Sequence, residues 1–555
     1  MSTLVESIRA SVIGDNQLIE TPFGQKPLVY ADYTASGRSL GFIENYIRQH
    51  VLPFYANTHT ETSYTGAQTS KLREEARQEI RRAVNARQED SVIFCGSGAT
   101  AAINKLIDIL NIRLPSDLNE RYQLQQQIPD HERPVVFIGP YEHHSNELPW
   151  RESIAELVVI PLNSEGILDL KALETQLLAY KDRTTKIGSF SAASNVTGLK
   201  TDVDAVSELL QRYNTFSFWD YAAAAPYVGI DMRGSENPTT NNSKDAVFIS
   251  PHKFIGGPGT PGILVVNQRV IHNRVPAVPG GGTVLYVTPT DHRYIADTER
   301  REEGGTPAII ESIRAGLVFK LQQAVGTDEI ERRETTFVQR ALKRWSDCDN
   351  IEILGNLNAP RLSIISLRIK HKGSDKDLHY GFVVALLNDL FGIQARGGCS
   401  CAGPYGHSLL GMDMAYSKAL EAQLLEGLMV MRPGWTRLNF NYFIDETSFD
   451  YIVRAIELVA EYGWKLLPFY HFDKVSGVWR YQDKKIFPDS SLGTLDFNSV
   501  NAIPDTTPPP LTVNLPDYMA YAEEEIRRDN REGFKYELIL PEAAEKLRWF
   551  ALPQS

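Results

Sequence analysis

Cysteine is scarce. Four residues in 555, Cys95, Cys348, Cys399 and Cys401, are too few for a disulfide framework, so a reducing, cytoplasmic setting is expected. Long apolar runs are absent: nothing approaches the roughly 18–20 residues of a membrane span. The opening Met-Ser-Thr-Leu-Val-Glu-Ser-Ile-Arg lacks a basic stretch followed by an apolar one, so no secretion signal is expected. Positive charge is in deficit, with 57 Lys and Arg against 69 Asp and Glu for a net charge of −12. That balance argues against nucleic acid or an anionic membrane as partner and leaves small anionic ligands open. No internal repeat is visible, and no second Cys/His pair has the spacing of a metal site, so no metal is expected.

What is present is an ordinary globular composition, 42% apolar and 23% charged, in a chain long enough for more than one domain. Residues 69–86 carry Leu72, Ala76, Ile80 and Val84 on one face of a charged helix. Short β-like runs follow at Ser91–Phe94, Pro134–Ile138, Leu157–Leu162, Lys186–Phe190, Phe216–Trp219, Ala246–Ile249 and Gly262–Val266. Most are separated by helix-length segments, the last two by a tight turn. Such alternation predicts an α/β domain with a mostly parallel seven-stranded sheet and helices on both faces. The polar stretch Asn111–Arg133 reads as a surface excursion.

The expected organisation is an N-terminal segment 1–30 packing on a smaller domain, a large domain 31–310, that smaller α+β domain 311–470, and an extension 471–555. A stiff Pro-rich linker, 501–512, divides the extension. Its closing Trp549-Phe550-Ala-Leu-Pro segment is expected to dock on the body.

Four strings carry chemistry. Ser250-Pro-His-Lys253 closes one strand before a Gly/Pro-rich turn. It places a lysine at a strand end, where open α/β sheets keep their ligands. Pyridoxal 5′-phosphate (PLP) enzymes hold their cofactor on such a lysine as a Schiff base, although a lysine after a strand is also a common surface residue. Phe94-Cys-Gly-Ser-Gly-Ala-Thr100 is a strand, a Gly-rich turn and a helix start. Its free N–H groups and the Thr100 hydroxyl suit a phosphate, and a plain βα turn is the alternative. Phe216-Ser-Phe-Trp-Asp220 ends a strand in a carboxylate followed by small residues. That suits a flat ring whose nitrogen needs an acid beside it, and equally a helix N-cap. Glu142-His143-His144-Ser-Asn146 follows another strand and offers an imidazole for stacking and proton transfer.

Together these strings resemble the class V aminotransferase group of fold-type I PLP enzymes, and within it the cysteine desulfurases and selenocysteine-lyase-like proteins. The resemblance runs from about Leu28 to Leu467 and includes Tyr30-Ala-Asp-Tyr-Thr-Ala-Ser36 and Pro279-Gly-Gly-Gly282. It implies that Ala99, Thr100, Ser250 and His252 bind the cofactor phosphate. His143 would stack on the ring, Asp220 pair with its nitrogen, and Lys253 carry the cofactor. Asn195 and Arg437 would hold the substrate carboxylate, with His59 close by. Thr306, in Glu303-Gly-Gly-Thr-Pro307, would reach the phosphate of a neighbouring subunit, implying a homodimer.

Arg396-Gly-Gly-Cys-Ser-Cys401 matches the loop of the family's reactive thiol, with Cys401 aligned. A buried structural cysteine or half of a zinc site are the alternatives. The implied reaction removes sulfur from L-cysteine, giving alanine and a persulfide on Cys401, with a sulfur-acceptor protein as further partner. Readings that share every cofactor residue are a C–S lyase, an aminotransferase and an epimerase; a sulfur-relay scaffold with a vestigial pocket is the non-enzymatic one. The sequence departs from the family at Ala223, where a glutamine is usual, and at Cys399. With both it is similar to the PLP domain of molybdenum-cofactor sulfurases.

Overall fold

The computed structural model describes residues 3–15, 17–58, 60–235, 237, 240–486, 491–494, 498 and 513–554. His59 and the run 501–512 lie outside the described residues. Seven strands form the main sheet: β1 (Asp90–Cys95), β2 (Val135–Ile138), β3 (Glu156–Val159), β4 (Lys186–Ser191), β5 (Phe216–Asp220), β6 (Ala246–Ile249) and β7 (Gly262–Asn267). Their order is β1-β7-β6-β5-β4-β2-β3. The pairs β6/β5, β5/β4, β4/β2 and β2/β3 are parallel. Only β7 runs against its neighbours β6 and β1. The fold-type I expectation therefore holds. These strands read as apolar runs rather than alternations because both faces are covered: every residue of β1, β2, β4 and β6 is buried.

The edge of β1 is closed by carboxylates. Val92 N–H donates to Glu299 and Phe94 N–H to Glu303, each at 2.7 Å. Arg77, from the helix Tyr64–Ala83, meets the Val92 carbonyl and pairs with Glu303 at 3.0 Å. An edge strand's unpaired groups are thereby satisfied within the chain, and the segment before Thr306 is pinned to the sheet.

A second sheet is antiparallel, ordered Ile351–Ile353, Ile365–Lys370, Trp435–Leu438, Arg396–Gly398. The helices Tyr380–Phe391 and Glu446–Tyr462 cover it and share its apolar cluster. The first 30 residues, expected on this smaller unit, divide between the two cores. Val5 and Ile8 of the helix Leu4–Ala10 join the core of the large sheet. Phe23 and Val29 pack on the smaller one, and Val29–Tyr30 pairs with Ile393–Gln394.

Beyond residue 470, the helix Leu515–Arg527 buries Ala522 and Ile526 in the smaller core. The terminal segment docks along Asp377: its N–H donates to the Trp549 carbonyl at 3.1 Å, and Ala551 N–H returns to its carbonyl at 2.7 Å. Trp549 stacks on Tyr380 at 6.0 Å between ring centroids, 10° from parallel. Among the described residues no helix is long and apolar enough to cross a membrane.

Candidate active site

The carboxyl ends of β1, β2, β4, β5 and β6 open on one side of the sheet, the usual place for a ligand in such folds. There they line a cavity of about 840 Å³ with the loop after Arg396–Gly398. It brings together Ala99, Thr100, His143, Asn195, Asp220, Ser250, His252, Lys253, Cys401 and Arg437. Thr306 is not among them: it is exposed, taking a hydrogen bond from Asn57 at 3.2 Å. Ala223 lines the cavity and offers only a methyl group there.

One end of the cavity is a cradle for an anion. The helix Gly98–Ile109 starts in it, and Ala99 N–H donates to Ser250 Oγ at 2.8 Å. Gly98 adopts φ +57°, and a Cβ there would lie 2.9 Å from Ser250 Oγ. Only glycine fits without strain. His252 is held by Ser36 at 3.3 Å, and burial pushes its pKa down to about 4. Thr100 Oγ1 lies 2.6 Å from Ser145 Oγ, which is 3.0 Å from His143 Nδ1. Ser145 N–H also donates to that nitrogen at 3.1 Å, which fixes the His143 ring proton on Nε2.

The centre is buried charge. Lys253 is pushed down to about 8 by burial, against the pull of the Asp220 carboxylate and with Arg437 adding to the fall. Asp220, 5% exposed, is raised by burial despite the Ala222 N–H bonded to it at 2.8 Å. His143 falls to about 3, through burial first and then the positive Lys253. Glu142 lies beneath, accepting from Ser191 N–H at 2.9 Å and Asn146 Nδ2 at 2.7 Å, and burial lifts it to about 7. It ties the end of β2 to the end of β4, beside Asp220.

The other end of the cavity gathers two arginines and one carboxylate. Arg396 and Arg437 stand opposite each other on adjacent strands, a like-charge pair that would repel. Asp32 lies between them, accepting from Arg396 Nε at 2.9 Å and Arg437 Nη2 at 3.2 Å. One carboxylate offsets one of the two positive charges, leaving room for a second anion. Arg437 Nε and Asn195 Oδ1 are buried without a hydrogen-bond partner, and unpaired buried polar groups of this kind are costly unless a ligand completes them. The pairing of Asp32 with Arg396 spans 364 positions, and sequence reading missed both residues, although Asp32 lies inside the opening string Tyr30–Ser36.

The thiol loop closes the cavity. Cys401 is exposed on its wall, whereas Cys399 packs against the cluster of Tyr141, Val196, Tyr405 and Trp435. Ser400 and Cys401 have φ of 54° and 56°, an unfavourable left-handed pair costing about 1–2 kcal/mol per residue. Asn195 Nδ2 donates to the Ser400 carbonyl at 2.8 Å, and Trp435 Nε1 to its hydroxyl at 3.2 Å.

The residues present fit PLP: a glycine-lined anion cradle at one end, a buried acid beside a buried amine in the middle, and at the other end an unpaired guanidinium donor and an unpaired amide acceptor. Sheet and site together define a PLP-dependent enzyme of fold type I. The Aminotransferase class-V family model matches residues 29–416, and the chain belongs to that family. A probable cysteine desulfurase of Halalkalibacterium halodurans is 28% identical over 382 residues, which cover 68% of this chain and 85% of that protein. Another, of Staphylococcus aureus, is 26% identical over 397 residues, covering 71% and 87%. The apo structure of a cysteine desulfurase from Thermococcus onnurineus superposes with a TM-score of 0.62 at 20% identity, covering 78% of this chain and 95% of the other. The Escherichia coli cysteine desulfurase CsdA gives 0.60 at 18%, covering 78% and 94%.

Proposed function

We propose that the protein removes sulfur from L-cysteine, releasing alanine and leaving a persulfide on Cys401. One observation carries the reading: a cavity with an anion cradle at one end holds unpaired Arg437 Nε and Asn195 Oδ1 at the other, with the accessible Cys401 on its wall. The names of the relatives agree with it.

In this reading Arg437, Arg396 and Asn195 orient the substrate by its carboxylate, and a guanidinium does so with two parallel bonds. Ala99, Thr100, Ser250 and His252 hold the cofactor phosphate, Lys253 the cofactor itself, and Asp220 its ring nitrogen. PLP, when bound, supplies the electron sink that makes the substrate α-proton removable. Lys253, its proton loosened by burial, is the base that takes that proton. His143 keeps a proton on Nε2 for transfer within the cavity. The Cys401 thiolate then bonds to the substrate sulfur as the substrate C–S bond breaks. That bond's electron pair stays on carbon, which is protonated to the methyl group of alanine.

A second copy of the chain belongs to this reading. Thr306 is exposed rather than turned into its own cavity, and the hairpin strand Val284–Val287 exposes Leu285, Tyr286 and Val287 by 67%, 69% and 58%. Such a patch suits a homodimer in which Thr306 serves the partner's site. The exposed Cys401 suits hand-over of sulfur to an acceptor protein, and a free reactive thiol suits the reducing cytoplasm. The test is product analysis of PLP-loaded protein with L-cysteine: alanine with sulfur retained on Cys401 supports the reading, and pyruvate with ammonia overturns it.

A further inference from the structure

His144 is adjacent to His143, yet it faces a different part of the molecule. The two ring centroids lie 6.3 Å apart with planes tilted by 48°. His143 lines the cavity and His144 does not. Instead, its main-chain N–H donates to the Cys401 carbonyl at 2.8 Å. Its Nε2 accepts from Gly403 N–H at 3.0 Å, which requires that nitrogen to carry no proton. His144 thus grips the thiol loop on both sides of Ala402.

Two further observations show that the grip matters to the loop. The helix Gly403–Leu409 begins with Ala402 at its N-cap, and no N-cap side chain satisfies its first N–H groups. A free N–H there needs a partner, and His144 supplies it from 259 positions away. The fit is close: a Cβ on Gly403 would lie 3.2 Å from His144 Nε2. Just before it, Ser400 and Cys401 hold left-handed backbone conformations at φ 54° and 56°, which persist only where surrounding contacts impose them. Asn195 imposes one side through the Ser400 carbonyl; His144 imposes the other.

We propose that His144 is the positioning residue for the reactive thiol. It fastens the Cys401 loop to the same short segment that carries His143, so the nucleophile and the cavity's proton carrier share one frame. The inference deepens the desulfurase reading and rests on it for the identity of the reaction. The placement of the loop stands on the hydrogen bonds alone.

The test compares wild type with His144→Phe, which removes the acceptor nitrogen and keeps an aromatic ring, and His144→Gln, whose amide oxygen can accept from Gly403. Gly403→Ala approaches the same contact from the other side, should His144→Phe fail to fold. In PLP-loaded protein, the cofactor spectrum and its change on adding L-cysteine are expected to stay as in wild type. The single-turnover rate of persulfide formation on Cys401 is expected to fall at least about tenfold in His144→Phe, because small misplacements of a reacting group carry large rate penalties. His144→Gln is expected to recover most of the loss.

Persulfide formation in His144→Phe within about twofold of wild type overturns the proposal. So does a loss shared equally by cofactor binding, which would place His144 in the cofactor's support instead. If wild type forms no persulfide, the desulfurase reading falls. His144 is then judged by iodoacetamide alkylation of Cys401, read by peptide mapping. Alkylation several-fold faster in His144→Phe keeps the positioning role, and equal rates remove it.

Discussion

Arg437 donates from Nη1 to the main-chain carbonyl of Asn195 at 3.0 Å, while Arg437 Nε and Asn195 Oδ1 remain buried and unpaired. The guanidinium is thus aimed by one protein carbonyl and by Asp32, with Nε left without a partner. Arg437→Lys keeps the charge and loses the fork. It is expected to cost about 1.5–3 kcal/mol of substrate binding, the value of a hydrogen bond to a charged group. That is roughly a 10- to 150-fold rise in the L-cysteine concentration needed for half-maximal spectral change. An unchanged titration curve would remove Arg437 from the carboxylate site.

Gly98→Ala tests the anion cradle. The substitution places a methyl group 2.9 Å from Ser250 Oγ and forces a left-handed alanine, worth about 1–2 kcal/mol of strain. PLP affinity of the apoprotein, titrated by absorbance, is expected to fall roughly tenfold, with little change in the far-ultraviolet circular dichroism.

The buried histidines set a pH limit. His379 accepts at Nδ1 from Gly381 N–H at 2.9 Å and Trp479 Nε1 at 3.1 Å, and its Nε2 faces the Val430 carbonyl at 3.1 Å. Both nitrogens are satisfied without a second proton, and burial lowers the pKa to about 3. The unfolded chain titrates near 6.5 and binds that proton first. The stability is therefore complete above pH 6.5 and lost progressively as pH falls toward 3. The slope is up to about 1.4 kcal/mol per pH unit. Urea unfolding at pH 6.5 and 4.5 is expected to show a smaller loss for His379→Gln than for wild type. Trp549 stacks 5.2 Å from the same ring, so its fluorescence should report release of the terminal segment in acid.

Much of this site was legible before the structure because each key residue closes a strand: Asp220 ends β5, and Lys253 and His143 follow β6 and β2 within a few positions. Strand periodicity and strand ends are local properties. The partners that tune those residues are not. Asp32 meets Arg396 and Arg437 across 364 and 405 positions, and His144 meets Gly403 across 259. Nothing in the composition of either segment announces the pairing. Cys399 and Cys401 illustrate the same limit. Two residues apart and chemically identical, they are separated only by the left-handed turn at Ser400 and Cys401, which leaves one packed in an apolar cluster and the other on the cavity wall.

The most direct measurement is a single turnover of PLP-loaded protein with L-cysteine, quantifying alanine and mapping the persulfide, with Cys401→Ser and Cys399→Ser alongside. Alanine and persulfide are expected in equal amounts in wild type and in Cys399→Ser, and neither in Cys401→Ser despite an unaltered cofactor spectrum. Pyruvate and ammonia formed equally by all three proteins would contradict it, identifying a C–S lyase in which Cys401 takes no sulfur.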